Sequence, residues 1–209
     1  MKYLAHTFFS ILLAAAWFGS GAFAQAVAPE DQQLARAVVE FSSNACYGLA
    51  TGATVLPGDQ SPDALNQTIH TVEKMGLSFG VDDKMLKQLG TPGLAIVSRS
   101  TMGSKTLDHG NVVVTFGGPL PGCRVILLTE TPVNVADAVS ASLASAGWKS
   151  VPAIQTQRAK VERRSFVKRD IRGDPYLMNL MAIGEPNSKI RLITTTIRIP
   201  ASVTLPSGL

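Results

Sequence analysis

The sequence predicts an α+β fold: a mostly antiparallel sheet of about six strands with helices packed on one face, in the order ααα-βββ-α-βββ. Three observations carry this expectation. Apolar residues recur at three- and four-residue spacing in three stretches up to Leu89 and again between Asn134 and Gly147. Runs rich in Val, Ile and Leu, broken by Gly and Pro, fill the remainder up to Ile199. The breaks between neighbouring runs are short, which favours antiparallel pairing over the long crossovers that parallel strands need.

Ahead of this pattern, the first 24 residues have the parts of a secretory signal. Lys2 supplies the positive start, Phe8 to Phe18 is apolar apart from Ser10, and Ala22-Phe23-Ala24 places small residues before a cut at Gln25. An apolar core of about 11 residues falls short of the roughly 20 that cross a bilayer. The expected product is exported, periplasmic or secreted, with no transmembrane segment after cleavage. It comprises one domain over 25–200 and a loosely held tail, 201–209, beyond Pro200. The whole chain carries 19 basic and 15 acidic residues. That balance is too mild to announce a nucleic-acid partner.

Two cysteines, Cys46 and Cys123, make an even pair, and in an oxidising compartment such a pair is expected to be bridged. No third cysteine and no Cys-x-x-Cys points to redox chemistry.

The elements follow in order. Leu34, Val38, Phe41 and Ala45 form the stripe of a first helix capped by Asp31, with Cys46 at its end. Gly52 to Pro62 reads as a loop. A second helix starts near Ser61 or Asp63, with the stripe Leu65, Ile69, Val72 and Met75, and stops at Gly76. A third, from about Asp82 to Leu89, is ended by Gly90 and Pro92. Strands are expected at Leu94–Arg99, Asn111–Phe116 and Cys123–Thr129, the last two paired as a hairpin across Gly117–Gly122. Asn134 and Gly147 bound a fourth helix facing the core through Val135, Val139, Leu143 and Ala146, with Trp148 folding back onto it. Strands at about 156–169, 175–184 and 189–199 finish the fold. Leu177 to Ile183 is apolar on both alternating faces apart from Asn179, the mark of an interior strand. Ile190 and Leu192 fall out of phase with Ile193, Ile197 and Ile199, which predicts a bulge near Thr194–Thr196. The order hints at a duplicated half, but no residue-level match links the two parts.

Several motifs invite a catalytic reading. Gly76-Leu77-Ser78-Phe79-Gly80 has the spacing of a nucleophile elbow, with His109 as a possible base and Asp82 or Asp83 between them. The elbow requires a strand-to-helix turn, whereas here a helix precedes it, so Gly76 as a helix cap and Gly80 as a turn is the competing reading. Ser165-Phe166-Val167-Lys168 has serine–lysine spacing but lacks its companion motifs. Asp108-His109-Gly110 reads as a turn, and His70 and His109 have no metal-ligand spacing. Asn66-Gln67-Thr68 is a glycosylation pattern within a helical stretch. No cofactor is implied.

The most distinctive feature is a basic strand. At strand period Arg158, Lys160, Arg164, Lys168 and Arg172 share one face with Glu162, Asp170 and Phe166, while Ala159, Val161, Val167 and Ile171 lie on the other. One reading is a cationic stripe that meets an anionic envelope component or another envelope protein. The other is a charged edge strand that resists aggregation. The expected function is a non-enzymatic binding or accessory module of the envelope; the alternative is a small envelope hydrolase using Ser78 and His109.

Overall fold

The computed structural model describes residues 28–57, 61–97, 100–117, 122–151, 160–203 and 205. The expected signal segment 1–24, Arg158, residues 118–121 of the expected hairpin turn, the expected strand start at 156–159 and residues 206–209 of the expected tail lie outside the described residues.

Pro29–Glu40 (α1) runs through a π-helical turn, Phe41–Cys46, into Tyr47–Thr51 (α2). Pro62–Lys74 (α3), Ser78–Phe79 (β1), Asp83–Val97 (α4), Thr101–Leu107 (β2), Gly110–Phe116 (β3) and Cys123–Leu128 (β4) follow. Ala136–Ser145 (α5), Lys149–Val151 (β5), Val161–Arg169 (β6), Pro175–Ile183 (β7) and Ile190–Arg198 (β8) complete the chain. The strands form one antiparallel sheet in the order β1-β2-β3-β4-β8-β7-β6-β5. It has eight strands rather than about six, and the ααα-βββ-α-βββ order does not hold. The extra strands, β1 and β5, are two and three residues long and carry no alternation for a sequence pattern to show.

Leu94–Val97, expected as part of a strand, belongs to α4. A short apolar run has no period of its own. Gly90 leaves helical geometry at φ 57° and ψ −178°, and Pro92, with its fixed φ, suits the first turn of the helix that resumes. The strand in this region is β2, whose Gly103 sits where a Cβ would lie 2.7 Å from Val72 Cγ1. That missing side chain lets α3 approach the sheet closely. Correspondingly, α3 buries Ala64, Thr68 and Val72, and Leu65 of the expected stripe is exposed.

The helices do not all lie on one face. Leu34, Val38 and Phe41 of α1 and the π turn, Val72 of α3, and Val139 and Leu143 of α5 pack with Val112, Val114, Val125, Leu127, Leu192, Met178 and Leu180 on one side of the sheet. On the other side Met85 and Leu89 of α4 pack with Val113, Ile126, Leu128, Ile190 and Ile193. The alternation of β3 and β4 between these two clusters explains why β4 is buried throughout and β3 from Asn111 onward.

The expected bulge is present but lies earlier. Leu127 pairs with Leu192 and Leu128 with Ile190, so Arg191 is the extra residue. This brings Ile190 into phase with Ile193. Ser61 caps α3 as expected, its Oγ accepting the Ala64 N–H, but the starts of α1 and α5 differ from expectation. α1 starts at Pro29 and α5 follows Val135, neither with a side-chain cap; instead the Asn134 N–H donates to Asp31 Oδ2 at 3.3 Å.

The two parts share a pattern of caps and strands that the sequence order only hinted at. α3 and α5 end alike: Gly76 (φ 78°) and Gly147 (φ 85°) take the left-handed conformation that glycine adopts readily. Leu77 N–H donates to Val72 O and Trp148 N–H to Leu143 O, each completing a Schellman cap with a buried apolar contact. Each cap leads into an edge strand, then three further strands that turn inward to the antiparallel β4–β8 seam.

The predicted bridge joins Cys46 to Cys123 with a Cα–Cα distance of 5.1 Å. It ties the π turn to the start of β4. No helix among the described residues is long and apolar enough to cross a membrane.

Candidate functional site

The basic strand is β6, and its charged face turns toward α5 rather than away from it. Arg164 bonds Asp137 Oδ1 at 2.6 Å, Ser140 Oγ at 2.7 Å, Ala136 O at 3.3 Å and Glu162 Oε1 at 2.7 Å. Burial alone would lower the pKa of its guanidinium, but Glu162 and Asp137 outweigh it and hold the pKa above the ordinary value. Lys168 Nζ donates to Ala146 O at 2.8 Å, at the negative end of α5, and lies 5.0 Å from the ring centre of Tyr47. Phe166, between them, is buried. Two members of the expected solvent-facing stripe therefore fasten a helix. The reason is that Arg and Lys stems reach across apolar surface to their partners. Lys160 and Arg172 are exposed and make no ion pair among the described residues. Arg164→Gln is expected to lower the unfolding free energy by about 1–2 kcal/mol in urea denaturation. Amide exchange should quicken in α5 more than in β3.

Ser78 and His109 are not brought together. Ser78 pairs with Ser104 on β2, and His109 occupies the β2–β3 turn. The intervening strand length is about 15 Å at the usual rise per residue. Gly76 serves as a helix cap and Gly80 takes φ 85° as a turn residue, while Asp82 accepts the Met85 N–H at the start of α4. His70 is exposed on α3, and no group of three His, Cys, Asp or Glu side chains among the described residues can hold a metal.

The sheet face that carries α4 is only partly covered. α4 lies over β3, β4 and the start of β8, and beside it opens a groove of about 640 Å³. Met181, Ile183, Ile190 and Ile193 form its floor, Leu89 and Pro92 one wall, and Val161 the other side. Lys87, Arg163 and Lys189 stand at its rim with one acid, Glu185. Arg163 and Lys87 make no ion pair among the described residues.

A polar chain holds the α4 wall in place. Asn111 Nδ2 donates to Gln88 Oε1 at 3.0 Å, and Gln88 Nε2 donates to Glu130 Oε1 at 2.7 Å. Glu130 also pairs with Lys189 Nζ at 3.0 Å. The hydrogen bonds from Lys189 and Gln88 hold the Glu130 carboxyl below its ordinary pKa. The buried amides Gln88 and Asn111 thus satisfy each other while fixing α4 against β3.

Sequence reasoning missed Arg163, Met181, Ile183 and Lys87. The available signal was the apolar character of both faces of Leu177–Ile183: the face away from the main core needs a cover, and α4 supplies only part of one. Comparison with known proteins finds no matching family model, no matching curated protein and no matching solved structure.

Proposed function

We propose that the protein is an exported, non-enzymatic binding module of the envelope, periplasmic or secreted. It holds a small amphipathic molecule, apolar along its body and anionic at one end, in the groove beside α4. The groove itself carries this reading: about 640 Å³ of space over an apolar floor, rimmed by Lys87, Arg163 and Lys189. Both its size and its few convergent polar groups are those of ligand sites. The rim charge favours an anionic end, which charge-assisted hydrogen bonds would orient. The disulfide supports maturation in an oxidising compartment. Engagement of Arg164 and Lys168 within the fold moves the anion-binding expectation from the stripe to Arg163 on the opposite face of the same strand.

Titration with a fluorescent polyene fatty acid is expected to give saturable one-to-one binding. Met181→Glu, which sets a charge on the floor, should weaken it at least about tenfold. Arg163→Gln, or use of the neutral methyl ester with the native protein, should weaken it about five- to tenfold. Equal affinity in the native protein and the folded Met181→Glu variant would exclude the groove as the site.

A further inference from the structure

We infer a second site for a small oxyanion, centred on Arg191 on the opposite face of the sheet and sharing only Val161 and Ile183 at the sheet edge with the α4 groove. Arg191 is the bulged residue of β8, and bulges re-aim side chains. It is 5% exposed, so its guanidinium is a buried charge. Its partners are all neutral: Thr129 Oγ1 at 3.4 Å, Glu185 O at 3.0 Å and Pro186 O at 3.5 Å. No carboxylate forms an ion pair with it among the described residues. A guanidinium has five N–H donors, so these three contacts leave two unused. A buried cation without a counter-charge is costly unless something neutralises it.

Arg191 lines a cavity of about 510 Å³ between the approach to α5 and the β6–β7 pair. Lys160, exposed and without an ion pair among the described residues, lines the same space. So do Val135 and Ala136, where α5 begins without a side-chain cap. The first-turn N–H groups of Ala136 and Asp137 stand at the positive end of the helix, with no side-chain cap among the described residues. The one acid on the lining is Glu162, which Arg164 already holds at 2.7 Å. Buried guanidinium, free ammonium and helix start thus converge, with Glu162 held by Arg164 and with Asp31, which accepts the Asn134 N–H at 3.3 Å, as the carboxylate beside the helix start. That chemistry recognises a carboxylate or a phosphate group. Val133, Val161 and Ala182 on the lining leave room for a short apolar substituent.

The test uses inorganic phosphate and butyrate as probes at low ionic strength, followed by ¹⁵N NMR. A carboxylate site shifts with butyrate, and a phosphate site with inorganic phosphate. In either case the Arg191 Nε–H and the amides of Ala136 and Asp137 should move together and saturate. Arg191→Gln should weaken binding at least about tenfold, as loss of a bidentate charged donor does. Because that change also loosens the Glu185–Pro186 turn, Lys160→Gln provides a second variant whose fold is not at stake; a loss of about threefold is expected. Overturning results are non-saturating shifts with both probes, saturation reproduced equally by chloride, or unchanged affinity in both folded variants. These probes lack the apolar body that the α4 groove requires, so failure here leaves the groove reading standing.

Discussion

A Cys46→Ala/Cys123→Ala double variant should lose about 4.5 kcal/mol of unfolding free energy, the chain-entropy value for a closed loop of this size. The bridge spans a sequence separation of 77 and joins two buried positions, so little of its effect comes from exposed surface. At about 2–4 °C per kcal/mol for a chain of this length, the midpoint should fall by about 9–18 °C in a thermal scan. The loss acts on the unfolded chain, so the denaturant m-value should rise as the cross-link disappears. An unchanged midpoint would mean that the π turn is held to β4 by packing alone. The Ser42 Oγ–Thr194 Oγ1 bond at 2.6 Å ties the same turn to the neighbouring strand, β8, and would remain in the variant.

The second large effect is expected at Trp148. It is 2% exposed, stacks edge-on with Tyr47 at 5.6 Å between ring centres, and closes the α5 cap through its N–H. Trp148→Ala should cost about 3–5 kcal/mol, the range for emptying a buried aromatic site. Trp148→Phe should cost much less. Its indole Nε1 has no hydrogen-bond partner among the described residues, so the phenyl ring loses area but removes an unsatisfied donor. Trp17 and Trp148 are the only tryptophans, so in protein prepared without residues 1–24 Trp148 alone reports the core by fluorescence. Equal destabilisation by both substitutions would show that shape at this position matters more than area.

Much of the frame was legible because it rests on strong periodicity. The stripe Leu34–Val38–Phe41–Ala45 is buried, the β3–β4 hairpin pairs Asn111 with Leu128 through Phe116 with Cys123, and Trp148 folds back onto α5. What failed was where local pattern competes with tertiary contact. Leu94–Val97 follows Gly90 and Pro92 into a helix, and Thr101–Leu107 becomes a strand despite weak alternation, since β3 pairs along its length. Side-chain direction along β6 was read well, but which face the helices cover was not. That depends on α4 crossing to the other side of the sheet, which no local signal states. The groove was hidden for the same reason: its walls come from residues 87–92 and 161–193, far apart in the chain.

The twin caps at Gly76 and Gly147 imply a division of labour during folding. The runs β2–β3–β4 and β6–β7–β8 each close through neighbouring hairpins with short loops, a quick step, whereas the β4–β8 seam must find partners such as Val125 and Thr194 across an entire half. The cystine lies wholly inside the earlier half. Oxidation therefore pre-shapes one partner for docking and leaves the later half to be moulded against it.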